Sequence, residues 1–85
     1  MNKRTINDTE YRDLSKFPQI NLEQYEVNMD VVTLIPEYLA KKHELIAIDM
    51  KKDKLVVATA DPLNLFAIDD VKLYTKMDLH IVVSS

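Results

Sequence analysis

Two histidines, His43 and His80, and an adjacent acid pair, Asp69-Asp70, are the residues of this chain best suited to proton transfer or metal ligation. Neither histidine has a second ligand at the i,i+4 spacing that sets two donors on one ion, so both read as structural. Cysteine is absent from the 85 residues, which removes thiolate ligands, thiol nucleophiles and disulfides and fits a cytoplasmic setting. Asp69 and Asp70 point about 100° apart on a helix and do not converge on one substrate for acid–base work. Ser15, Ser84 and Ser85 fall in a loop or a tail with no patterned histidine, so no set of nucleophile, base and orienter can be assembled. Asp61 stands before Pro62, where an acid serves better as a cap than as a catalyst. The sequence therefore offers no catalytic residue, no cofactor-binding residue and no metal ligand.

Glycine is absent too. Phosphate-binding loops need glycines so that backbone N–H groups can close on the phosphates, so neither a Walker A loop nor a dinucleotide fingerprint can be written. A net charge of −3 argues against nonspecific nucleic-acid binding, which needs a basic surface. The four tyrosines are not interleaved with basic residues, as a stacking platform for single strands would require. No apolar run approaches the ~18–20 residues of a membrane span, so direct membrane insertion is not expected. Met1 to Asp8 lacks the apolar core of a signal peptide.

The elements follow from apolar period and turn residues. Leu55 to Ala60 carries no charge and runs into Asp61-Pro62, the pattern of a strand buried on both faces and stopped by proline. Asp61 and Asn64 can each cap the helix that follows, Leu65 to Lys76, whose core face is expected to hold Ala67, Ile68, Val71 and Tyr74. Leu79 to Val83 closes a βαβ unit with the strand at 55–60. Glu44 to Met50 alternates, with Ile46, Ile48 and Met50 expected on one face, and the charged reversal at Lys51–Lys54 joins it to the central strand as a hairpin. A first helix begins at Pro36, with Glu37 in its first turn and Lys41, Lys42 and His43 at its end, as the helix dipole favours. Asn28 or Asp30 caps a shorter helical turn before it.

The expected fold is α+β: a small mixed sheet of three to four strands, built from the hairpin and the βαβ unit and packed by two main helices. Residues 1–10 read as a flexible leader and 11–85 as a single small domain, with a short edge strand at Tyr11–Leu14 and a break at Phe17-Pro18. A strand ending two residues before Ser85 is expected of a piece cut from a longer protein. Phe66 and Leu73, seven residues apart on the second helix, form an extra apolar ridge flanked by Asp69 and Asp70. Two accounts are open: the N-terminal segment with Phe17 folds back onto the ridge, or the ridge docks another protein.

Several strings in this order carry a resemblance. They are Leu34-Ile35-Pro36-Glu37-Tyr38-Leu39-Ala40-Lys41-Lys42, then Lys54-Leu55-Val56-Val57-Ala58-Thr59-Ala60-Asp61-Pro62-Leu63-Asn64, then Ala67-Ile68-Asp69-Asp70-Val71. Together with Tyr11-Arg12-Asp13-Leu14 and Ile81-Val82-Val83, they resemble the N-terminal domain of bacterial type II secretion and type IV pilus assembly ATPases. The resemblance implies a non-catalytic domain ahead of an ATP-hydrolysing motor. Its implied partners are the downstream ATPase domain and the cytoplasmic domain of an inner-membrane platform protein, which would hold it peripherally at the membrane. Phe66, Asp69, Asp70 and Leu73 are the expected partner-binding residues; Asp61, Pro62 and Asn64 form a structural corner. Some members bind cyclic di-GMP through a motif beginning Arg-Leu-Gly. No such string precedes Tyr11, which counts against cyclic di-GMP here. A cyclic di-GMP-sensing domain of the same class and an unrelated α/β adaptor are the alternatives. The family often places Gly after the Thr that closes the second helix; Lys76 stands there instead, so an unusual helix end at Lys76 or Met77 is expected.

Overall fold

A computed structural model describes residues 17–84. The expected leader and the strand expected at Tyr11–Leu14 lie outside the described residues. The elements are β1 (Gln19–Ile20), α1 (Met29–Val32), α2 (Glu37–His43), β2 (Leu45–Lys51), β3 (Lys54–Thr59), α3 (Leu65–Thr75) and β4 (Asp78–Ser84). They form one four-stranded mixed sheet in the order β1-β4-β3-β2. β2 and β3 make the antiparallel hairpin, and β3 and β4 run parallel across α3. The expected α+β fold is present, with the short α1 added to the two main helices.

β1 is a strand that periodicity does not show. Gln19 and Ile20 pair in parallel with Val83 and Ser84, and the Pro18 carbonyl accepts the Val83 N–H at 2.8 Å. Proline beside an edge strand removes no ladder bond, so the break at Phe17-Pro18 and a strand two residues long coexist.

The central strands are buried on both faces because both faces are covered. On one face Leu45, Ala47, Leu55 and Val57 meet Val31, Ile35, Leu39, Ala67 and Val71 from the helical layer. On the other, Ile48, Val56, Ala58 and Val82 lie beneath Ile20, Leu22, Tyr25 and Val27. The described part of the N-terminal segment therefore covers the sheet face opposite α3. It does not fold back onto the Phe66/Leu73 ridge, whose two residues stay exposed.

Two sequence expectations need correction. In β2, Ala47 pairs with Val57 and Asp49 with Val56, which leaves Ile48 as an extra residue in a bulge. The bulge reverses the alternation, so Met50 joins Leu45 and Ala47 on the helix face, and Asp49 turns to the other face with Ile46 and Ile48. In α3, Ala67 and Val71 are buried and Ile68 is half-buried, but Tyr74 is 54% exposed. It lies about 60° round the helix from Val71, at the margin of the core face towards α2.

The missing glycines leave a backbone signature. Glu44, Lys52, Asp53 and Lys76 all hold positive φ, at 55°, 50°, 70° and 57°. Lys52 and Asp53 form the hairpin turn, and Lys76 is the unusual helix end expected from the sequence, its N–H donating to the Lys72 carbonyl at 2.7 Å. Asn28 caps α1 by accepting the Asp30 N–H at 2.9 Å. The Glu37–Lys41 pair closes at 3.3 Å on the exposed side of α2.

Candidate functional site

The corner after β3 sets the direction of α3. The Asp61 N–H donates to the Thr59 hydroxyl at 3.1 Å, and the Asp61 side chain accepts the Leu63 N–H at 3.3 Å. Asn64 accepts the Ala67 N–H at 3.2 Å and is the helix cap. The capping role therefore divides: Asp61 closes the turn, and Asn64 caps the helix. Pro62 is buried between them. All three corner residues sit at one locus.

With Ala67 and Val71 turned to the sheet, α3 presents its opposite side to solvent. Phe66 is 86% exposed and Leu73 75% exposed, about 10 Å apart along the axis. Helical geometry sets Asp70 on the α2 side of this ridge and Asp69 on the other. Phe66, Asp69, Asp70 and Leu73 are thus brought to one helix face.

The two acids have different surroundings, as adjacent helical positions must. Asp69 is exposed, whereas Asp70 reaches α2 and meets His43 Nε2 at 2.9 Å. The His43 side chain is only 9% exposed and the Asp70 side chain 45%. The sequence gives little sign of this contact, because its partners are 27 residues apart and belong to different helices. The Glu44 helix end and the face shared by His43 and Leu39 are the only local hints. Beside the contact lies a shallow groove of about 310 Å³ between α2 and α3, lined by Tyr38, Leu39, Asp70, Leu73 and Tyr74.

A larger cavity of about 720 Å³ opens elsewhere, at the end of the sheet where α2 meets the start of β2. Its apolar wall includes Ile35, Ala40, Leu45 and Ala58. Its polar lining residues are Thr33, Glu37, Lys41, Glu44 and Ser84, of which Glu37 and Lys41 are paired with each other. Volume alone does not define a site.

A second polar contact ties the covering segment to the sheet. The Tyr25 hydroxyl donates to Asp49 at 2.8 Å, and the Met50 N–H donates to the same carboxylate at 2.8 Å. These two bonds, the tyrosine first, hold the Asp49 carboxyl below its ordinary value. The Tyr25 hydroxyl is pushed up, chiefly by the same bond. His80 is exposed on β4 and remote from His43 in sequence and element. Among the described residues, no group of three or more His, Cys, Asp or Glu is placed to hold a metal ion. No helix among them is long and apolar enough to cross a membrane.

A small mixed sheet with a hairpin, a βαβ unit and an exposed helix face defines a small α+β domain. The chain belongs to the MshEN domain family, whose model matches residues 15–85. It is 38% identical over 68 residues to the type IV pilus assembly ATPase PilB of Myxococcus xanthus (strain DK1622), spanning 80% of this chain and 12% of that protein. A solved structure described as MshE with cdg is 26% identical with a TM-score of 0.77, covering 99% of this chain and 60% of that one. The N-terminal domain of XpsE matches in fold at a TM-score of 0.62 with 24% identity, covering 87% of this chain and 58% of that one. These relatives bear out the resemblance to the N-terminal domains of secretion and pilus ATPases. The chain spans only a small part of the length of the curated relative it matches.

Proposed function

We propose that this chain is a non-catalytic docking and regulatory domain of a secretion or pilus ATPase, linking the motor to the cytoplasmic domain of an inner-membrane platform protein. The observation that carries the proposal is the ridge on α3: Phe66 and Leu73 stay 86% and 75% exposed although a segment of the same chain is available to cover apolar surface. Family membership supports the setting, because the matching segment of the Myxococcus xanthus relative is part of a type IV pilus assembly ATPase. The ridge is flanked by Asp69 and Asp70, an arrangement suited to recognition: an apolar centre with a charged rim. Attachment to the membrane then runs through the partner.

The test is binding of the purified chain to the platform protein's cytoplasmic domain by calorimetry. Leu73→Asp is expected to abolish the interaction while the domain stays folded. Unchanged binding by a folded Leu73→Asp variant removes the ridge from the interface. ATP turnover by the purified chain counts against a non-catalytic role. A ligand-sensing reading draws support from the likeness to MshE with cdg. It is separated by titration with cyclic di-GMP, for which no binding is expected because the Arg-Leu-Gly string is not in this chain.

A further inference from the structure

We infer that the segment received by the α3 face is an amphipathic helix with basic residues along the edges of its apolar stripe; this deepens the docking reading above and rests on it. The face is shaped for a rod. Phe66 and Leu73 stand two helical turns apart, and the shallow groove lined by Tyr38, Leu39, Leu73 and Tyr74 runs beside them between α2 and α3. A helix presents apolar side chains at i, i+3, i+4 and i+7, the spacing that fills a groove and spans a ridge of this length. An added β-strand would instead need a free sheet edge, and the ridge lies on a helix.

The charge around the face selects the sign of the partner. Among the described residues Asp70 is the one charged residue lining the groove, and Asp69 stands on the opposite side of the ridge. The lysine of α3, Lys72, projects about 100° away from Leu73, as does any next residue of a helix, towards the side away from α2. Asp70 meets His43 through Oδ2 and still leaves 45% of its side chain exposed, and a carboxylate has lone pairs for further donors. An arriving Lys or Arg thus finds an acid already oriented by α2 on one edge and a second, exposed acid on the other. An acidic helix meets two like charges at the same edges, which disfavours it.

The experiment uses the 85-residue chain labelled for amide NMR and two synthetic 18-residue helical peptides. Both carry leucines at i, i+3, i+4 and i+7; one has lysines flanking them and the other glutamates. The basic peptide is expected to shift the amides of Tyr38, Asp70, Leu73 and Tyr74 and to bind about tenfold tighter than the acidic one. Its affinity is expected to fall roughly 3–10-fold between 50 and 300 mM salt. Asp69→Lys, at an exposed position that leaves the His43 contact intact, should weaken the basic peptide by a similar factor. Equal affinity for the two peptides, shifts confined to other surfaces, or no binding by either overturns the inference. The platform domain is measured in parallel. If it binds and is blocked by Leu73→Asp but ignores both salt and Asp69→Lys, the docking reading stands and the basic-helix inference falls. If the basic peptide binds at this face and the platform domain does not, the docking reading falls and the inference about the face stands.

Discussion

Tyr25 donates its hydroxyl to Asp49 at 2.8 Å across the sheet face that α3 does not cover. Their meeting depends on the bulge at Ile48, which turns Asp49 away from the helix layer and towards the covering segment. One bond therefore fastens residues 20–27 over Ile48, Val56, Ala58 and Val82.

This bond makes stability depend on pH at both extremes. The depressed Asp49 carboxyl contributes stability that is present above its ordinary value of 3.8 and lost as pH falls through its lower folded value. The raised Tyr25 hydroxyl contributes stability that is present below its ordinary value of 10.0 and lost as pH rises through its higher folded value. Tyr25→Phe removes the bond at every pH. Thermal melts followed by circular dichroism should show wild type above Tyr25→Phe by a constant margin through the neutral range. The margin should narrow in acid below 3.8 and in base above 10.0. A margin that stays constant across the whole range refutes the bond.

The left-handed residues predict a gain. Lys76 ends α3 at φ 57° and ψ 34°, where a side chain crowds the following carbonyl and glycine does not. Lys76→Gly should stabilise the domain by about 1 kcal/mol, a rise of roughly 4–8 °C in melting temperature for a domain of this size. Asp53→Gly, at φ 70° in the hairpin turn, should act in the same direction. A fall in melting temperature for both variants contradicts the assigned backbone conformations.

Much of this fold can be read from local chemistry, and the limits have physical causes. The run from Leu55 to Ala60 followed by Asp61-Pro62 marks a buried strand and its end, and Asn64 announces α3, because caps and prolines act within a few residues. The bulge at Ile48 leaves no local mark, since Ile46, Ile48 and Met50 alternate as a regular strand would. β1 is too short to have a period. The His43–Asp70 contact joins helices brought together only by the sheet. The Phe66/Leu73 ridge was legible as an excess of apolar positions on α3, but whether the chain covers it depends on where residues 20–27 pack, a tertiary matter.

The acid and the amide of the corner should separate experimentally. Asn64 caps α3 through the Ala67 N–H, so Asn64→Ala should cost about 1 kcal/mol in denaturant unfolding. Asp61 holds only the turn, through a longer bond to the Leu63 N–H on an exposed residue. Asp61→Ala should cost less, by a few tenths of a kcal/mol. A larger loss for Asp61→Ala than for Asn64→Ala would transfer the capping role to Asp61.

Leu73→Asp distinguishes a docking surface from a packing surface more directly than any other substitution. Leu73 is 75% exposed, so replacing it removes little buried apolar area, and surface changes of this kind usually alter stability by no more than about 0.5 kcal/mol. The new carboxylate joins Asp69 and Asp70 on the same face and adds like-charge repulsion, small in water and reduced further by salt. A buried residue behaves otherwise: Ile48→Ala, within the second core, should cost about 2–5 kcal/mol and bring the domain near unfolding. Comparing the two by urea denaturation sets the scale. A folded Leu73→Asp variant with wild-type stability shows that the ridge is surface, and its binding to the platform domain then reports on recognition alone. Destabilisation approaching that of Ile48→Ala would mean that Leu73 is packed against the rest of its own chain, and the ridge would have no role in docking.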